Sequence, residues 1–333
     1  MRIKYNGWLG KLLLGVLVFL APLAVVFAIT HLGAPPLAAV NQPRAAGEAG
    51  TDPALVKYHE VRAIPTGMRE PRALALGPDG TRYVAGDNQV ARLGANGLCT
   101  TIISLAMPPY CLAVGKDGLV YVGLKDHVQV YDSEGVLKSS WAVQGKAPYL
   151  TAITPSSKAI WVADAGDRVV YCYTRIGHLM TTVGRRDQHT GAPGLVAPSP
   201  HLDIAVASDD SLWVANPGRH ELENYSKNGL LRASWGQAGN TPADFSGCCN
   251  PTNFALLPDG GFVTVEKKLP RVKVYRVGGV FAGFVAGPES FAASIEGMSM
   301  AVDAQGQILV LDSAQKSVRV FAPNTTKAKK IHD

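Results

Sequence analysis

From residue 71 to residue 323 the chain is written largely in period two. Runs such as Val128-Gln129-Val130-Tyr131 put apolar side chains on alternate positions, which is the pattern of a half-buried β-strand. Each run is short and stops at a turn rich in Asp, Asn, Gly, Ser or Pro. The runs also come in sets. An apolar strand, an Asp-Gly-type turn, an aromatic-Val strand and a third alternating strand recur six times, from "ALALGPDGTRYVAGDNQVARL" and "CLAVGKDGLVYVGLKDHVQVY" through "FALLPDGGFVTVEKKLPRVKVY" to "MAVDAQGQILVLDSAQKSVRVF". A glycine often follows, as at Gly97, Gly135, Gly177, Gly229 and Gly279.

The anchoring positions Tyr83, Tyr121, Trp161, Trp213, Val263 and Leu309 lie 38, 40, 52, 50 and 46 residues apart. That is room for a four-stranded blade, about 40–50 residues, so the spacing predicts an all-β, six-bladed β-propeller over 54–323. The sixth unit stops at Pro323 without a fourth strand. The segment "ALVKYHEVRAI" (54–64) has strand character and precedes the first unit. It is expected to supply the missing outer strand, closing the ring and removing an exposed edge.

At two stretches the chain resembles the NHL-repeat family of six-bladed β-propellers, in its membrane-anchored bacterial form. These are "IWVADAGDRVVYCYTRIGHLM" and "WGQAGNTPADFSGCCNPTNFALLPDG", the second with its Trp-Gly, Gly, Phe and Pro spacing ahead of the next strand. The resemblance implies the fold. It leaves activity open, because such propellers serve as binding scaffolds, lyases and lactonase-like hydrolases.

Charge alters the picture at the two ends. The 333 residues carry a formal +6. Residues 1–50 hold four bases and one acid, and 324–333 form a short basic tail with Lys327, Lys329 and Lys330. The body is close to neutral, which argues against nucleic acid as a partner. Residues 12–29, "LLLGVLVFLAPLAVVFAI", are almost wholly apolar and nearly long enough to cross a bilayer as a helix. Arg2, Lys4 and Lys11 precede them and no base follows until Arg44, so the N-terminus is expected in the cytoplasm and the body outside it. Residues 1–30 are therefore a signal anchor or, alternatively, a cleaved signal peptide. Residues 31–53, rich in Ala, Gly and Pro, are a flexible linker. The expected location is a membrane, single-pass, with the propeller in the periplasm or outside the cell.

Propellers bind at the channel mouth, where the innermost strands begin. Aligning the six units on Ala75, Ala113, Ala152, Ala205, Ala255 and Ala301 brings Arg72, Tyr110, Cys111, Tyr149, His201, Asp203 and Asn253 to that mouth. A mixed polar and aromatic rim suits a small molecule, a peptide or an envelope protein. Tyr110 and Tyr149 could equally pack between blades. His201 and Asp203, two apart on one strand, share a face and are the best acid–base candidates; a structural hydrogen bond is the alternative. A lactonase-like propeller would hold a hard cation such as calcium there, but only Asp203 and Asn253 are in register. The histidines are too scattered for a three-histidine zinc site. "EKKLPRVKVY" (266–275) is expected to be a solvated turn or an edge for an acidic partner.

Cys248 and Cys249 stand side by side in the loop ahead of the fifth inner strand, in a chain with five cysteines. Three readings are open. They form a vicinal disulfide, strained because consecutive Cα atoms lie about 3.8 Å apart against a usual disulfide range of roughly 4.4–6.8 Å. They bind a soft metal, copper being the natural candidate for two thiolates. Or one or both are small buried hydrophobes under a loop.

Overall fold

The structure, a computed structural model, describes residues 51–186, 194–292 and 295–324. The apolar segment 12–29 lies outside the described residues; within them, no helix is long and apolar enough to cross a membrane.

Among the described residues, twenty-four strands form six four-stranded antiparallel sheets. β1 (Tyr58–Pro65) comes first. Blade 1 is β2 (Pro71–Leu76), β3 (Arg82–Gly86), β4 (Gln89–Leu93) and β5 (Cys99–Ser104). Blade 2 is β6 (Cys111–Val114), β7 (Val120–Gly123), β8 (His127–Tyr131) and β9 (Leu137–Ala142). Blade 3 is β10 (Leu150–Pro155), β11 (Ile160–Asp164), β12 (Val169–Tyr173) and β13 (Leu179–Val183). Blade 4 is β14 (Ile204–Val206), β15 (Leu212–Asn216), β16 (Glu221–Tyr225) and β17 (Leu231–Trp235). Blade 5 is β18 (Asn253–Leu256), β19 (Phe262–Glu266), β20 (Arg271–Arg276) and β21 (Val280–Ala286). Blade 6 is β22 (Met300–Val302), β23 (Ile308–Asp312), β24 (Ser317–Pro323) and, on its outer edge, β1.

β1 pairs antiparallel with β24 from Tyr58 opposite Pro323 to Pro65 opposite Ser317. Arg319 of β24 secures the seam. Its guanidinium reaches Glu60 of β1 (2.6 Å) and buried Asp312 of β23 (3.4 Å), and packs over Phe291 and Phe321.

The apolar alternation of the strands feeds six buried clusters, one between each pair of neighbouring blades. Blades 1 and 2 meet through Tyr83, Val90, Leu112 and Val120. Blades 4 and 5 meet through Leu222, Phe254, Phe262 and Tyr275. Both faces of a blade are thus covered, which is why second strands such as β11, "IWVAD", are buried at every position. The recurrent glycine after the third strand of blades 1 to 5 makes the turn into the fourth; at Gly177 φ is +86°, a conformation that side chains rarely adopt.

Two sequence expectations are corrected. The alignment of blade 3 is out by two residues. Ala75, Ala113, Ala205, Ala255 and Ala301 all face the expected partner on the second strand, but Trp161 faces Thr154, not Ala152. The β10–β11 turn closes from Ser156 N–H to Ala159 O, one residue tighter than the Gly77-to-Thr81 closure of blade 1. A one-residue change in the turn moves the register, and matching alanine to alanine followed the wrong residue. The second correction concerns 266–273, where Lys268 alone of the charged side chains is exposed. Glu266 and Lys273 are fully buried and Lys267 and Arg271 nearly so. Glu266 holds Arg271 (2.6 Å) and Lys273 (3.3 Å), and Lys273 Nζ donates to Asp244 O (2.7 Å) in the loop ahead of β18.

Candidate functional site in the propeller channel

Where the innermost strands begin they surround a cavity of about 790 Å³. Arg72, Tyr110, Tyr149, His201, Asp203 and Asn253 all line it, together with Cys111. Its volume falls within the ~300–1,000 Å³ usual for small-molecule sites.

Blades 1 to 3 supply a stacked rim. The Arg72 guanidinium sits over the Tyr110 ring, 5.7 Å from its centroid, and Tyr110 meets Tyr149 edge to face at 5.0 Å. Both rings are half-buried, so they pack against each other and still present surface to the cavity. Tyr149 reaches this place one residue ahead of β10; Thr151 holds the position equivalent to Arg72.

Blades 4 and 5 supply the polar wall. Asp203 accepts a hydrogen bond from Ile204 N–H (2.9 Å). It bridges to the next blade by accepting one from Phe254 N–H (2.9 Å) and a longer one from the Asn253 amide (3.4 Å). The same device recurs round the ring: Thr151 Oγ1 donates to Leu202 O (2.6 Å), and Ser299 Oγ accepts from Leu74 N–H (3.0 Å). Burial pushes the Asp203 carboxyl up to about 6, although the hydrogen bonds it accepts pull the other way. Burial, and then the charge of Lys267, holds His201 down to about 4. At neutral pH the wall is therefore a carboxylate beside an uncharged imidazole.

No hydrogen bond joins His201 to Asp203 among the described residues, so the carboxylate does not orient the ring. Gly297 lies against the imidazole instead; a Cβ there would stand 3.1 Å from His201 Cε1 and from Asn253 Oδ1. Lys267 is buried behind the wall and donates to Ser199 Oγ (2.9 Å). Lys267 and Ser199 carry no signal in the repeat pattern, because loops bring them together, whereas Gly297 stands four residues before Ala301 as His201 does before Ala205.

Cys111 is buried in β6, and burial pushes its thiol well up. Cys248 and Cys249 occupy the loop before β18, with their sulfurs 3.1 Å apart as free thiols. The vicinal bridge is not formed in the structure; Cys248 is exposed and Cys249 is buried, so the buried-hydrophobe reading fits Cys249 alone. No group of three or more His, Cys, Asp and Glu side chains is gathered around a common point among the described residues.

No protein-family profile matches the chain, and no curated protein sequence matches it. Solved structures do. Virginiamycin B lyase from Staphylococcus aureus superposes with a TM-score of 0.55 at 15% identity, over 81% of this chain and 89% of that one. A catalytically inactive form of that lyase with quinupristin gives 0.57 at 11% identity, over 80% and 100%. The WD40 β-propeller domain of Doa1 gives 0.54 at 15% identity, over 77% and 79%. At these identities the likeness is one of fold: the chain is a six-bladed, all-β propeller.

Proposed function

We propose that this propeller is a binding module of NHL type that takes a small molecule or short peptide into the channel mouth. One observation carries the reading: a cationic and aromatic rim on three blades and a polar wall on two others converge on one cavity of ligand size. The Tyr110–Tyr149 pair offers an aromatic or planar group a face, and Arg72 offers a carboxylate a partner in place of exposed Glu70, to which it is now bound at 3.0 Å. The apolar segment 12–29 would hold the module outside the cytoplasm. The test is a ligand-observed NMR screen of aromatic carboxylates and short peptides against the full chain in detergent. Binders should lose at least tenfold in affinity to a Tyr110→Ala/Tyr149→Ala double variant that melts like the native protein. Unchanged affinity would move the site elsewhere. Protease accessibility of the body in intact cells and spheroplasts tests the anchoring.

A second reading rests on a separate observation, the opposite displacement of Asp203 and His201 in one cavity. Displaced titratable groups sharing a cavity suit acid–base chemistry, with Asp203 as the base in an elimination or a hydrolysis. The lyases among the structural neighbours are consistent with it in fold only. If a turnover is found and Asp203→Asn retains it, this reading fails.

A further inference from the structure

The loop carrying Cys248 and Cys249 is held from both ends. Asn250 Nδ2 donates to Ser246 O (2.6 Å), Asn250 Oδ1 accepts from Lys267 N–H (2.9 Å), and Ser246 N–H donates to the buried Glu266 carboxylate (2.8 Å). Within this clamp the two sulfurs are unlike. Cys248 is exposed and Cys249 is 4% exposed. The Cys249 thiol donates to Cys248 Sγ across 3.1 Å. That hydrogen bond, with Lys268 and Lys267 behind it, draws the Cys248 thiol below the ordinary thiol range. Burial and the neighbouring sulfur push Cys249 above it. A packed structural thiol has neither the exposure nor the cationic neighbours.

We propose that Cys248 and Cys249 form a thiol–disulfide exchange site, in which Cys248 attacks an external anionic disulfide and Cys249 resolves the product. In the first step the Cys248 thiolate bonds to one sulfur of the disulfide, whose S–S bond breaks and releases a thiolate. In the second, Cys249 gives its proton to solvent and attacks Cys248 Sγ, and the second thiolate leaves. The protein dithiol loses two electrons, and the disulfide gains them and becomes two thiols. The product ring spans adjacent residues and is strained, since their Cα atoms are about 3.8 Å apart. A strained bridge is readily reduced. The forward direction therefore needs a disulfide with an acidic leaving thiol, and the bridged form in turn oxidises dithiols. Exposed Lys268 favours a disulfide that carries negative charge. This inference does not depend on what the channel binds.

The probe is dithiobis(nitrobenzoate), an anionic aromatic disulfide, mixed with the reduced, desalted full chain in detergent. The double variant Cys248→Ser/Cys249→Ser gives the background from Cys99, Cys111 and Cys172. Above that background the native protein should release about two equivalents of nitrothiobenzoate, retain none, and lose two hydrogens in mass. Cys249→Ser, or Cys249→Ala should serine unsettle the buried position, should release one equivalent and keep the other as a mixed disulfide. Cys248→Ser should slow the fast phase at least tenfold. A stable mixed disulfide on the native protein, or a fast phase that survives Cys248→Ser, overturns the proposal.

Discussion

The substitution Asp203→Asn separates the structural from the electrostatic role of this carboxylate. The side chain keeps its shape but offers one carbonyl oxygen where the carboxylate offers two. One of the bonds from Ile204 N–H and Phe254 N–H is therefore lost. A hydrogen bond of that kind contributes about 1 kcal/mol. Against this stands the cost of ionising Asp203 in the channel. Its folded value, about 6, lies above the ordinary 3.8. Between those two pH values the folded chain holds a proton that the unfolded chain has released, so stability falls as pH rises through the window and is level above it. The displacement corresponds to roughly 3 kcal/mol. The uncharged amide of the variant would carry no such cost. Near pH 4 the variant should be about 1 kcal/mol less stable than the native chain, and near pH 7.5 about 2 kcal/mol more stable. His201, held low, contributes the opposite slope over the same range, but it does so in both proteins and cancels in the difference. Urea unfolding of both chains at half-unit pH steps measures that difference. Parallel stability curves would mean that Asp203 ionises as it does in water, and the account of a desolvated wall would be refuted.

Arg319→Met should cost roughly 3 kcal/mol, because it leaves Asp312 buried without its cation and Glu60 without its seam partner. Hydrogen exchange should then quicken first at the β1 amides. Gly135→Ala should destabilise by more than about 1 kcal/mol in thermal unfolding, since φ there is +84° and a Cβ would strike Ile102 O. Gly297→Ala should weaken any channel ligand without lowering the melting temperature, because the added methyl meets the His201 ring and the Asn253 amide at the cavity surface rather than in a packed core.

The ring of blades was legible because alternation and Asp-Gly turns are local signals repeated six times. The closing strand was legible from a shortage, a last unit with three strands and a leftover strand ahead of the first. Registers were less secure. The tight Ser156–Ala159 turn shifts blade 3, and nothing in "TPSSKAIW" reports its closure. Residues lining the cavity could be named from the repeat, since the start of each inner strand is a fixed position in it. What they touch could not. Asp203 finds its main partner in Phe254, 51 residues on and in the next blade. The charged run 266–273 reads as surface, yet Arg271 and Lys273 are buried because the loop 241–250, itself irregular, folds over them and supplies carbonyl oxygens.

The seam at blade 6 also governs the order in which the domain can form. His59 and Asn324 meet at 3.0 Å across 265 residues of chain, so the strand synthesised first is paired last. Until β24 has left the ribosome, β1 has no partner. The cluster joining blades 6 and 1, which mixes Ile64 and Leu74 with Leu309, Val318 and Val320, stays half-built. Contacts this distant in sequence make for slow folding. A chain that stops short of Ser317 would lack more than its final strand. It would expose one side of the first blade and free the edge of β23, so a late truncation should behave as an unfolded or aggregating protein and not as a five-bladed one.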